Sequence, residues 1–157
     1  METEFKINLL DEFGRMHDDC LQWALKQQDL DPASLYYGGV ILPEKGFNEP
    51  GSDMGHIDTF VCAYYYKKSK YYKKEELLDR AHLLIDIVLK EQHDDGSIDL
   101  KETNFHDATM IAFMMPGAVH NYRFLKKFSL NTPKEKKLID KMLLFIQQGA
   151  KGLLQGG

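Results

Sequence analysis

The sequence predicts an all-α fold built of αα-hairpins. Three observations carry that expectation. Apolar residues recur at helical spacing along most of the chain, a strand is expected only at Val40-Ile41-Leu42, and the order of elements after residue 55 repeats. At 157 residues the chain is expected to form one domain. With 43% hydrophobic and 28% charged residues it can build a core, which excludes a disordered tail, a collagenous repeat and a disulfide scaffold. Its 20 Lys and Arg against 24 Asp and Glu give a net charge of −4, so no basic excess marks a nucleic-acid partner. The apolar run from Met110 to Met115 is far short of the roughly 20 residues of a membrane span, so no membrane partner is expected. METEFKINLLDEF mixes acids into its apolar positions and is no signal peptide. Cys20 and Cys62 stand in apolar helical contexts without metal-ligand spacing and read as buried free thiols.

The first element is a long amphipathic helix within residues 1–29. Phe5, Leu9, Phe13, Met16, Cys20, Trp23 and Ala24 form one stripe, Thr3 is its N-cap and Asp31-Pro32 its stop. Residues 30–55 break the period and read as a long loop holding three of the five prolines and five of the 12 glycines. Loops of that length are uncommon in compact domains and often functional, and the alternative is a loop that merely covers a helix end. A second helix is expected from about Ile57 to Lys67, apolar nearly all round and therefore buried. A lysine-rich turn, Lys67 to Lys74, leads into a third helix from Lys74 to Gln92, ended by His93-Asp94-Asp95-Gly96. A fourth helix is expected from near His106, again apolar on every side, with Pro116-Gly117 kinking or breaking it. Thr132-Pro133-Lys134-Glu135 is a capping box that starts the fifth helix, and Gly149 and Gly152 are expected to mark its end.

Asp58-Thr59-Phe60 through Ala63 aligns with Asp107-Ala108-Thr109 through Ala112, and His56 and His106 both stand just before the apolar helices. Hairpin repeat one then spans 56–105 and hairpin repeat two 106–157, with apolar helices inside and amphipathic helices outside. The long loop, GSDMGHIDTF, the two helices and DDGSIDLKETNFHDATMIAF together resemble the α/α-toroid glycosidases and polysaccharide lyases, most of all the toroid domain of heparinase II/III-like proteins. The resemblance covers most of residues 30–157. It implies a sugar cleft built by the loops at one end of the helices, and periplasmic or extracellular residence. Such toroids commonly use six hairpins, and this chain supplies about two and a half. The expectation is therefore an incomplete α/α toroid, part of a longer protein, whose apolar helical edge is open to self-association.

A lyase acting on uronates by β-elimination neutralises a carboxylate, abstracts the α-proton and protonates the leaving oxygen. Asn104, His106 and Tyr36 or Tyr37 are of the right types for these roles. Asn104, His106 and Tyr37 are therefore the candidate catalytic residues, with Tyr36, Glu49, Asp53, His56 and Asp58 candidates to bind a polysaccharide or oligosaccharide, an acidic glycan above all. The resemblance carries no defined catalytic motif onto these positions. No cofactor and no metal are expected. Asn104-Phe105-His106 is not the adjacent Asn-His step such lyases often carry, and Asn104 or Asp107 can instead cap a helix, as can Asp58. Asp94, Asp95 and Asp99 do not fit an EF-hand loop and read as a solvated turn. The alternative functions are a non-catalytic helical module that binds a glycan or a protein, and a metal-dependent hydrolase. For the latter, His56, His106-Asp107 and Asp140 are similar to the His and Asp series of HD-type phosphohydrolases.

Overall fold

The computed structural model describes residues 2–103 and 105–155, with side chains described over 9–103 and 108–154. Among the described residues the fold is mainly helical, with five helices and four short strands. Helix α1 is Glu2–Gln27, α2 Pro50–Tyr65, α3 Glu76–Glu91, α4 Ala108–Phe128 and α5 Pro133–Gln155. Strands β1 (Ile41–Leu42) and β2 (Phe47–Asn48) pair antiparallel just before α2. Strands β3 (Ile98–Leu100) and β4 (Phe105–Asp107) pair antiparallel just before α4. Helix α2 packs against α3 and α4 against α5, while α2·α4 and α3·α5 contacts set the two pairs side by side. The core lies between these four helices and is filled by Phe60, Ile57, Leu77, Leu84, Ile111, Leu138 and Phe145, all fully buried.

Helix α1 flanks α2, but of the apolar stripe only Ala24 is buried among the described side chains. Leu9, Phe13, Met16 and Trp23 are 40–58% exposed, and Cys20 is exposed rather than buried. The inward face carries Leu21 and Ala24 together with the buried Asp18 and Gln28. Two polar anchors set that orientation. Asp18 accepts the Ser69 hydroxyl at 2.6 Å and the Lys70 N–H at 2.9 Å, and Gln28 Nε2 donates to the carbonyls of Gly38 at 2.7 Å and Arg80 at 3.1 Å. Polar groups buried in this way are costly unless bonded, so the rotation that bonds them prevails over the one that hides the most apolar surface.

The 30–55 segment is not one long loop. A bridge between Gln28 and Val40, the β1–β2 hairpin and the first turns of α2 divide it. Helix α2 starts at Pro50, not near Ile57, because a proline suits the first helical position, where its missing N–H has no bond to lose. His56 and Asp58 therefore lie inside α2, not at its start. The turn between α2 and α3 is the lysine–tyrosine turn that the sequence suggests. The Lys73 N–H donates to the Tyr64 carbonyl at 2.9 Å, and its Nζ stands 4.3 and 4.2 Å from the Tyr64 and Tyr65 ring centres.

Helix α4 starts at Ala108, two residues past His106, since Phe105, His106 and Asp107 pair with β3. It runs unbroken through Pro116, which sits on its exposed side. Nor is it buried all round. Ile111, Met114, Ala118 and Leu125 face α2 and α5, whereas Phe113 is 78% exposed. Helix α5 opens on the expected capping box, with the Glu135 N–H donating to Thr132 Oγ1 at 3.2 Å and the Thr132 N–H to Glu135 Oε2 at 3.0 Å. Gly149 and Gly152 do not end it. A Cβ on Gly149 would stand 2.7 Å from Met115 Cε and one on Gly152 2.9 Å from the Gly96 backbone, so both glycines permit close packing inside the helix. Among the described residues no helix is long and apolar enough to cross a membrane.

Candidate functional site

The two β-hairpins lie at the same end of the helices and bring a polar cluster together there. Asp53, on the first turn of α2, is fully buried. Its Oδ1 accepts the Val40 N–H at 2.9 Å and its Oδ2 accepts Asn48 Nδ2 at 2.7 Å. Asn48 Nδ2 also lies 3.3 Å from Oε1 of Glu91, in the last turn of α3. Lys101, just past β3, donates to Asn48 Oδ1 at 2.7 Å and to Glu91, and its Nζ stands 5.3 Å from the centre of the Tyr36 ring. At the rim Lys45 bridges Glu49 at 2.5 Å and Glu102 at 2.6 Å. Gly39 makes this corner possible, since a Cβ there would stand 2.6 Å from the Asn48 side chain.

Burial pushes the Asp53 carboxyl up to about 7, and the neighbouring Glu91 charge adds to it, against the bonds from Val40 and Asn48 and the charge of Lys101. A carboxyl held near neutrality is what acid–base chemistry uses. Asp53, however, spends both oxygens inside the protein and presents no surface to a bound molecule. It orients Asn48, and through it Lys101, instead of touching substrate. Tyr36 is half-buried beside Lys101, and Tyr37 is 38% exposed. The His106 backbone pairs with Asp99 across β3–β4, its side chain lies outside those described, and Asn104 lies outside the described residues.

His56 and Asp58 belong elsewhere, on the faces of α2 turned away from the core. His56 meets Trp23 of α1, ring centres 5.9 Å apart, in an open cleft of about 580 Å³ lined also by Asp19, Cys20, Ser52 and Thr59. Burial holds the His56 imidazole below its usual range, so it is neutral at pH 7 and offers one donor and one acceptor. Asp58 faces α4, where His120 Nε2 stands 3.5 Å from its Oδ1. The Cys62 thiol donates to the same oxygen at 3.5 Å. Burial and the Asp58 charge push that thiol up to about 12, which removes it as a nucleophile. Among the described residues no group of three or more His, Cys, Asp or Glu is arranged to hold a metal ion.

No family model matches the chain, and no curated protein or solved structure matches it.

The cluster thus joins Tyr36, Glu49 and Asp53 to Asn48, Glu91 and Lys101, three residues the sequence reading missed. Asn48 and Glu91 carry no motif, and Lys101 reads as one more surface lysine until the β3–β4 turn places it. Trp23 is legible as part of a helical stripe, but the stripe gives no sign of which of its residues stays exposed.

Proposed function

We propose that the chain is a helical-hairpin domain of the α/α-toroid kind that binds a glycan in the cleft between α1 and α2. The observation that carries this reading is Trp23. It is 40% exposed on a helix that has a buried face available, and it stands beside His56 among Asp19, Ser52 and Thr59. A half-exposed indole face with hydroxyl, imidazole and carboxylate groups around it suits a sugar ring, which stacks its C–H face and hydrogen-bonds at its rim. The toroid reading is supported by two antiparallel helix pairs lying side by side, each entered through a β-hairpin at the same end.

For β-elimination on a uronate polymer, the hairpin end supplies residue types of the right chemistry. Lys101 is a cation for a carboxylate, Tyr37 is an exposed phenol, and His106 belongs to β4.

Trp23 is the chain's single tryptophan, so its fluorescence reports the cleft directly. Titration with uronate-containing and neutral oligosaccharides is expected to give a saturable change that His56→Ala weakens, and calorimetry should show binding lost in Trp23→Ala. Unsaturated uronate products in the same mixture would add the lyase activity, and binding without products leaves a glycan-binding module. An emission spectrum indifferent to every oligosaccharide sinks the reading.

A further inference from the structure

We infer that the N-terminal half of α1 is a dimerisation arm whose partner is a second copy of this chain. Residues 9–13 are exposed without exception, and five consecutive helical residues cover more than a full turn. None of these residues is buried: Asp11 pairs with Lys68 at the surface, Leu10 and Phe13 border an open groove, and close packing on the body begins at Gly14, beside Tyr66. An isolated helical segment is marginal in water, and one carrying Leu9, Leu10 and Phe13 is more costly still. Leu10 and Phe13 of the arm form one wall of an apolar groove of about 430 Å³ between α1, α2 and α4, whose other side is Tyr65, Tyr66, Phe124 and Phe128.

Charge and area point to the same occupant. The stretch from Met1 to Phe13 carries four acids and one lysine, with Asp11 and Glu12 paired to Lys68 and Arg15 at the surface, whereas Arg123, Lys126 and Lys127 are exposed on α4 next in sequence to the groove residues Phe124 and Phe128. Leu9, Leu10, Phe13, Met16, Tyr66 and Phe128 are 36–62% exposed. At roughly 150–200 Å² for a large apolar side chain they leave on the order of 500 Å² uncovered. That lies at the upper end for a monomer's apolar patch. With its polar rim it approaches the roughly 800 Å² per partner of a stable interface. The arm is acidic and apolar and the groove is basic-rimmed and apolar, both on one molecule. A two-fold axis that crosses the arms lays each over the other copy's groove and closes the contact.

Sedimentation of the full chain across the micromolar range tests this. A concentration-dependent dimer is expected. Leu10→Lys with Phe13→Glu, both at exposed positions, should weaken it at least tenfold while circular dichroism keeps the helical signal of the body. Arg123→Glu with Lys127→Glu should also weaken it. Mixing that variant with Asp11→Lys, Glu12→Lys should restore a mixed dimer, because the reversed charges again oppose each other. A monomer at every concentration, an open-ended assembly, or a dimer indifferent to both sets of substitutions would overturn the inference. The Trp23 titration in the Leu10→Lys, Phe13→Glu variant reads the glycan cleft separately, so the two proposals fail independently.

Discussion

Asn48 Nδ2 donates to Asp53 Oδ2 at 2.7 Å where neither residue reaches solvent. This contact joins the β1–β2 hairpin to α2, and Glu91 and Lys101 extend it to α3 and β3. The corner is held by polar groups bonded to one another, with Glu91 Oε2 buried and unpartnered among them, which makes it sensitive to protonation.

The sign of that sensitivity follows from Asp53. Its carboxyl is raised from 3.8 to about 7 in the fold. Below 3.8 folded and unfolded chains both carry the proton. Between 3.8 and about 7 the unfolded chain releases it while the folded chain keeps it, so this group lowers stability as pH rises, levelling off above 7. At roughly 1.4 kcal/mol per unit the loss is a few kcal/mol. Thermal unfolding between pH 4 and pH 8 should therefore show a falling contribution that Asp53→Asn removes. An unchanged difference between the two proteins at every pH would refute the assignment.

Two glycines with positive φ separate strain from crowding. Gly46 has φ +74 and nothing within 4 Å of an added Cβ, whereas Gly96 has φ +88 and its Cβ would stand 2.0 Å from the Gln148 carbonyl oxygen. Gly46→Ala is expected to cost about 1–2 kcal/mol, the strain of the left-handed region alone. Gly96→Ala should exceed that by several kcal/mol, because the β3 turn and α5 must part. Urea titration of both variants checks the order, and equal midpoints would mean that the close approach is absent.

Phe60 and Phe113 test which helix faces form the core. Phe60 is fully buried, and Phe60→Ala should cost about 3–5 kcal/mol. Phe113 is 78% exposed, and Phe113→Ser should change stability by no more than about 0.5 kcal/mol. A large loss at Phe113 would show that the outer face of α4 is covered in solution.

The chain by itself determined the helices. Periodicity marks all five, the Thr132–Glu135 capping box starts α5, and Gly96 sits in the turn beyond α3, because each of these is a local property of backbone and side chain. It did not determine which face each helix buries. The stripe of α1 and the all-apolar sequence of α4 give direction-free signals, and the choice between inward and outward depends on partners distant in sequence. Asp18 with Ser69, and Gln28 with Arg80, fix α1 across more than fifty residues. The start of α2 at Pro50 was written in the sequence, but proline signals loops as readily as first turns. Only the tertiary structure decided the polar corner. Asn48, Asp53, Glu91 and Lys101 come from three elements and a turn, and nothing in their local sequence binds one to another until the hairpins and helix ends meet. Burial then does what no motif records, holding a carboxyl near neutrality and leaving a tryptophan in the light.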